Sequence, residues 1–240
     1  MKKLKNSSRS ALTGFFFTLP SIIGMLVFFI IPFCITIRLS LTESMGNSKF
    51  VGLKNFSTVM KSEAFRLAAK NTFRFAIVAI PLVMITAFII AVLLYKLLHG
   101  FDFFRTVFVF PLILPSISVV TVFRIVFENM GLSASPNGSF VMLLFLYVWK
   151  NVGYNIILFL SALNSVPKST LEAAEIDGAD QIIKIIRIML PMIAPHTFSI
   201  FVISIVNLFK SFREAFILFG SHPDKSIYMI QHFMNNKNLA

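Results

Sequence analysis

The chain has 240 residues, 57% of them hydrophobic and 13% charged, with 22 Lys and Arg against 10 Asp and Glu. A soluble core of this length cannot hide that much apolar surface, and a mean hydropathy of +0.83 places the chain in a lipid bilayer. The formal charge of +12 does not indicate a nucleic-acid binder, because the basic residues stand at the ends of apolar segments and form no aromatic-interleaved patch; anchoring to anionic lipid accounts for them.

A bilayer core about 30 Å thick needs roughly 20 apolar residues in a helix. Five stretches qualify, at about 12–40, 72–98, 104–127, 140–164 and 193–219. Residues 1–10 carry Lys2, Lys3, Lys5 and Arg9 ahead of the first stretch, which superficially resembles a secretory signal. The apolar run that follows is too long for a signal h-region of about 7 to 15 residues and has no small-x-small cleavage site, so it is read as a retained span. Pro20, Pro32, Pro81, Pro111 and Pro115 lie inside the first three stretches and predict kinked, packed helices. The expected fold is all-α: a polytopic transmembrane helix bundle of five spans, with 1–240 forming a single integral-membrane domain. Cys34 lies alone in the first span and reads as a small packing residue.

The distribution of Lys and Arg sets the orientation. The N-terminal cluster, with Lys96 and Arg105 in the link 95–105, points to the cytoplasm, and the link 128–139 has no basic residue, as an outer loop should. The connection 42–71 departs from the rule, with five basic residues against Glu43 and Glu63, although alternation places it outside. By the same alternation the loop 166–191 is cytoplasmic.

That loop holds four of the ten acids, Glu172, Glu175, Asp177 and Asp180, within EAAEIDGAD. Pro167 ends the preceding span, and Ser169 with Glu172 three residues later forms a capping-box pattern that predicts a new, short helix. Asp177 and Gly178 predict a left-handed stop, and Asp180 a cap for a second helix from Gln181 to about Leu190, before Pro191. Glu172 and Glu175 share a helix face, while Ala173, Ala174 and Ala179 leave the backbone bare enough for another protein to approach. In the second helix Ile182, Ile183, Ile185, Ile186, Met189 and Leu190 predict a broad apolar face that can lie against the bundle or the inner interface, with Gln181, Lys184 and Arg187 more polar. A solvated interhelical loop would explain any one of these elements; their joint order predicts a docking plug.

EAAEIDGADQIIKIIRIMLPMIAP resembles the EAA motif of the membrane-spanning permease subunits of ATP-binding-cassette importers: EAA, three residues, G, then I-x-LP. Its counterparts are Glu172, Ala173, Ala174, Gly178, Ile188, Leu190 and Pro191. LPSIIGMLVFFIIPF, VGLKNF, NTFRF and FFRTVFVFPLILPSIS are similar, in nearly collinear order, to binding-protein-dependent carbohydrate permeases of the maltose and glycerol-phosphate type. The first of these is closer to the first than to the second permease of such pairs. The resemblance implies that the loop forms a coupling helix in a groove of a separate ATPase, with Glu172 making a charged contact, Ala173 and Ala174 permitting close seating, and Gly178 the turn. It also implies a second permease subunit in a heterodimer, two cytoplasmic ATPases, an extracytoplasmic solute-binding protein and a sugar-like cargo. Such permeases usually have six spans; here 213–236 resembles the stretch before the last, and the sequence then reads NKNLA, which leaves an expectation of five spans with the family-typical sixth missing and the C-terminus outside.

Polar residues in hydrocarbon are costly, about 2.5 to 3.5 kcal/mol for a central charge, and their positions are informative. Trp149, Asn151, Tyr154, Asn155 and Ser161 in the fourth span and Asn207 in the fifth offer amides, hydroxyls and aromatic faces suited to a sugar, and are the candidate substrate path; interhelical hydrogen bonding is the competing role for each. Arg124 and Glu128, four residues apart, are expected to pair or to snorkel, and Lys210, Arg213 and Glu214 to lie near the outer end of the fifth span. The chain has no G-x-x-x-x-G-K-[ST], so no cofactor is expected on it and ATP is assigned to a separate subunit. An intramembrane enzyme would need paired acids, a His cluster or a Ser/Lys arrangement at membrane depth, and His99, His196, His222 and His232 fit no ligand spacing. A stand-alone secondary transporter or channel, which needs titratable residues at the midplane, is the alternative function.

Overall fold

The computed structural model describes residues 2–44, 47–97, 102–132 and 135–238, and the backbone divides into two compact units, 1–63 and 64–240. The first unit opens with α1 (Lys2–Met25), a π-helical segment (Leu26–Ile30) and α2 (Ile31–Ser40). The π segment has a cause in the sequence. Pro32 has no N–H for the carbonyl of Phe28 and its ring crowds that turn, so the ladder widens just upstream and Ile31 N–H donates to Leu26 O, five residues back. Cys34 is a free, exposed thiol on α2. The connection 42–71, which the sequence leaves without a fold, starts with a short antiparallel pair, β1 (Thr42–Ser44) and β2 (Asn47–Phe50), followed by α3 (Lys54–Lys61). The Asn55 amide secures it by donating to Ser40 O at 3.0 Å and Thr42 O at 2.8 Å.

The second unit is built around α4 (Glu63–Leu97), α5 (Asp102–Ile113), α6 (Ser116–Asn129) and α7 (Pro136–Asn164). The link 95–105, expected on the inner side, passes through 98–101, which lie outside the described residues. α4 buries Ala68, Thr72, Phe75, Ala79, Val83, Ala87 and Ala91, one stripe at three- and four-residue spacing whose small members let neighbouring backbones approach. Helix α7 lies at the centre of the unit: Leu143 and Tyr147 pack with α4, Met142 and Leu146 with α6, and Ile156, Phe159 and Leu163 with Ala87 and Ala91. It is the least hydropathic of the three long spans and the most buried. That inverse relation follows from lipid: the most apolar surfaces face hydrocarbon, and polar side chains are kept for helix contacts.

At Gly153 α5 crosses α7 so closely that a Cβ would stand 1.9 Å from the carbonyl oxygen of Phe108. The expected third span is one bent pair, α5 and α6, meeting at 92°. Pro115 causes the break: it forces Leu114 out of helical geometry and then, at ψ 126°, serves as the N-cap of α6.

Beyond α7 come α8 (Lys168–Ile176), α9 (Gln181–Ile183), a second π segment (Lys184–Met189), α10 (Leu190–Met192), α11 (Ala194–Lys210), α12 (Phe212–Phe219) and α13 (Ile230–Asn238). The second π segment repeats the logic of the first. It precedes Leu190-Pro191, and Leu190 N–H donates to Ile185 O. A 70° bend at Ile193 turns this arm into the fifth expected span. Among the described residues three helices are therefore long and apolar enough to cross a membrane, Thr13–Ser40, Glu63–Tyr95 and Asn137–Asn164, and five if each bent pair counts as one.

Arg124 departs from expectation. It reaches from α6 to the last turn of α12, donating to Ile217 O at 2.7 Å and to Leu218 O ahead of Gly220, whose φ of 77° ends that helix. Among the described residues no ion pair joins it to Glu128; two orphan helix-end carbonyls are its partners instead.

Past α12, the His232 ring is fully buried against Phe212 and Tyr228. Its Nδ1 accepts from Met229 N–H at 3.2 Å and its Nε2 has no partner. Burial disfavours the imidazolium and pulls the pKa down to about 4 from 6.5. Between those values the unfolded chain holds the extra proton, so stability rises with pH through that window and is lost as pH falls from about 6.5 to about 4, by up to about 1.4 kcal/mol per pH unit. In thermal melts over that range, His232→Phe is expected to flatten the acid limb; an unchanged limb would assign it to other groups.

Candidate functional site

Two places concentrate the functional chemistry. The first is the arm formed by α8 and the segment after it. Pro167, extended at ψ 130°, starts α8 at Lys168, and no side chain caps it. The expected Ser169 capping box is therefore not formed: the fixed φ of Pro167 begins the helix two residues earlier, so Ser169 falls inside the first turn and Glu172 is left free of a capping role. The C-terminal stop is as the residues imply. Ala179 N–H donates to Ala174 O at 2.9 Å and Gly178 N–H to Glu175 O at 3.1 Å, with Gly178 at φ 78°: a Schellman motif. Asp180 then caps the next helix, its carboxylate accepting from Ile183 N–H at 2.7 Å.

This geometry sorts the arm's residues. Glu172, Ala173, Asp177, Gly178, Leu190 and Pro191 are exposed, Ala179 is half-buried, and Ala174 faces inward at 8% exposure. Ile176 stands 87% exposed at the tip, beside Ala173 and Asp177. The second helix turns Met189 and Ile185 toward the core, as its apolar face implies, and departs from expectation at Lys184. Lys184 is buried, while Ile182, Ile183 and Ile186 are exposed. The reason is the ion pair Lys184 Nζ–Glu175 Oε2 at 3.4 Å, which folds the cation in beneath α8, and the seating of Met189 and Ile185 on the core of α4 and α7. The widened π turns rotate the isoleucines away from the face that a regular helix would present. The α8 part of the arm thus presents carboxylates, small residues and the Ile176 side chain on its outer face.

The second place lies where α6, α7 and α12 meet. The bend at Pro115 delivers Ser116, whose hydroxyl donates to Glu214 Oε1 at 2.6 Å. Lys150 Nζ donates to Ser116 Oγ at 3.0 Å and forms an ion pair with Glu214. Glu214 is 5% exposed. Sequence reasoning noted Glu214 without its partners and passed over Ser116 and Lys150; the available signal was a lone lysine in the middle of an apolar span.

The six candidate substrate-path residues separate. Asn151 and Asn207 line one cavity of about 140 Å³ together with Lys150, Lys210 and Glu214. Asn155 is fully buried against α11, accepting from the Ser204 hydroxyl at 3.4 Å, and Tyr147 donates to Ser204 O at 2.9 Å, so Asn155 belongs to a helix contact. Trp149 packs edge-on against Phe123, their centroids 5.1 Å apart. Tyr154 is half-buried and Ser161 exposed, and the structure brings neither to the cavity.

Lys150→Met removes the ion-pair partner of the buried Glu214 carboxylate and is expected to cost about 3 to 5 kcal/mol. The paired change Lys150→Met/Glu214→Leu removes both charges and should recover most of that loss. Thermal unfolding in detergent compares the two, and equal loss in both would mean that the pair is not the source.

Comparison with known proteins gives this geometry its context. The family described as the inner membrane component of binding-protein-dependent transport systems matches residues 99–239. The chain is 31% identical over 238 residues to the probable ABC transporter permease protein YesP of Bacillus subtilis (strain 168), covering 91% of this chain and 77% of that protein. It is 30% identical over 233 residues to the arabinooligosaccharides transport system permease protein AraP of the same organism, covering 89% and 74%. Its fold superposes with a TM-score of 0.76, at 21% identity and covering 100% of this chain and 88% of the other, on a chain of a bacterial ABC transporter involved in the import of the acidic polysaccharide alginate. The arm with its Schellman stop, the multi-pass helical unit and these matches agree, and the chain belongs to the inner-membrane permease components of binding-protein-dependent transport systems.

Proposed function

We propose that the chain is one permease half of an ATP-binding-cassette importer that moves a sugar or related solute, with 1–240 working as one membrane domain, its N-terminus in the cytoplasm and the arm 166–191 on the inner side. Glu172, Ala173, Ile176 and Asp177 insert into a groove of a separate ATPase, which binds the ATP. A second permease subunit completes the translocation path, and an extracytoplasmic solute-binding protein delivers the cargo. The observation that carries this reading is the combination of an outward Glu172–Ala173–Ile176 face with an inward Ala174, Lys184 and Met189: a plug that is bare outside and bolted to the span helices inside. A force on the plug reaches α11 through the bend at Ile193. The relatives' names support a carbohydrate cargo, arabinooligosaccharides among them.

The test is reconstitution. Pulling on the tagged chain should retain an ATPase, and uptake into proteoliposomes should require ATP and the binding protein. Uptake by the isolated chain without ATP would support the stand-alone carrier instead.

A further inference from the structure

The junction of Ser116, Lys150 and Glu214 opens on a cavity of about 560 Å³, also lined by Lys210, Arg213 and Gln231. Its volume lies within the range of small-molecule sites, about 300 to 1,000 Å³. Its charge is unbalanced. Three cations face one carboxylate, and that carboxylate already holds Lys150 and the Ser116 hydroxyl. Among the described residues neither Lys210 nor Arg213 makes an ion pair, so the cavity has a net charge of two positives. Phe209 and Phe212 add apolar faces beside the cations. Lys150 joins this cavity to the smaller one with Asn151 and Asn207, so a cationic floor continues into an amide-lined space.

We propose that this cavity binds an anionic group, a carboxylate or a phosphate, carried by the transported solute: Lys210 and Arg213 receive the charge, Lys150 takes a second contact deeper in, and Asn151 and Asn207 hydrogen-bond the hydroxyls that follow. The inference rests on the permease reading and narrows it from sugars in general to sugar acids or sugar phosphates. Cations clustered around one concave surface raise the local concentration of an anion, and a neutral sugar gains nothing from their charge. The headgroup of an anionic lipid has the same chemistry and is the other source to be tested.

The experiment is calorimetric titration of the full chain, with the subunits it retains, in phosphatidylcholine nanodiscs. The probes are trigalacturonate and glucose 6-phosphate, each beside its neutral counterpart, galactotriose and glucose. At least one anionic probe should bind about tenfold or more tightly than its counterpart, and Lys210→Gln/Arg213→Gln should remove that preference. Both positions are exposed, so the variant is expected to fold. If it does not, the salt dependence of the wild-type chain decides: raising the ionic strength to about 0.5 M should weaken the anionic probe about tenfold and leave the neutral one unchanged. Equal binding of charged and neutral probes, or no binding of either anion, overturns the proposal. Loss of anion binding in phosphatidylglycerol nanodiscs assigns the site to a lipid headgroup and also overturns it. Retention of the ATPase on the same preparation is scored separately: retention without anion preference defeats this inference alone, and anion preference without retention supports the site while defeating the permease reading.

Discussion

Gly178→Val is expected to reduce ATP-driven uptake by more than tenfold while leaving the amount of membrane-inserted chain unchanged. Gly178 holds φ 78°, a region that a β-branched residue enters only at a cost of about 1 to 3 kcal/mol. The Cβ itself meets nothing within 4 Å, so the penalty is conformational and confined to the stop. Relieving it breaks the bonds from Ala179 N–H to Ala174 O and from Gly178 N–H to Glu175 O, and the end of α8 with Ile176 and Asp177 moves. The span helices are untouched. Gly178→Asn is the matched control, because asparagine tolerates the left-handed region, and it should keep most of the uptake. Glu172→Lys should have the same functional effect by another route, reversing the charge offered to the ATPase without touching the fold. ATP-dependent uptake and ATPase retention on the tagged chain measure both. Full uptake in Gly178→Val would mean that the geometry of the stop is irrelevant to function.

The second large effect is structural. Gly153→Leu is expected to prevent accumulation of folded chain, and Gly153→Ala to destabilise it by about 1 to 3 kcal/mol. Even the first added carbon would lie 1.9 Å from Phe108 O and 2.7 Å from Phe108 C. These are backbone atoms, so no side-chain rotation can make room and α5 must move off α7. Moving α5 displaces the bend at Pro115 and withdraws Ser116 from Glu214, 98 residues away in sequence. Gly24 in α1 provides the contrast: nothing stands within 4 Å of an added Cβ, and Gly24→Ala should be neutral or slightly stabilising. Fluorescence-detected size exclusion separates the three, and a monodisperse Gly153→Leu would contradict the crossing.

What was legible in the sequence was governed by neighbours in sequence. The Asp180 cap, the Gly178 stop and the break at Pro115 each depend on residues within about one turn of one another, and each is where local chemistry puts it, whereas the helix expected to stop before Pro191 runs on to Met192. Ser169 was misread for the same kind of reason: two local signals competed, and the fixed φ of Pro167 prevailed over the hydroxyl. The burial of Lys184 was not legible, because Glu175 draws it inward and the π turns ahead of Pro191 depart from a regular 3.6-residue period. Ser116, Lys150 and Glu214 were illegible as a group because they meet only when three helices pack. Lys150 stands between Trp149 and Asn151, and only Glu214 on α12 and Ser116 at the Pro115 bend make it a partner.

For coupling of this kind the arm must project from the inner face of the membrane and be covered by a motor subunit there. Ile176→Cys in a Cys34→Ser background reads both directly, because Ile176 is 87% exposed and has no packing to lose. With a membrane-impermeant maleimide, residue 176 should stay unlabelled in intact cells, become labelled in inside-out vesicles stripped of peripheral ATPase, and be protected again when the ATPase is added back. Labelling in intact cells, or labelling that added ATPase does not change, would contradict the account.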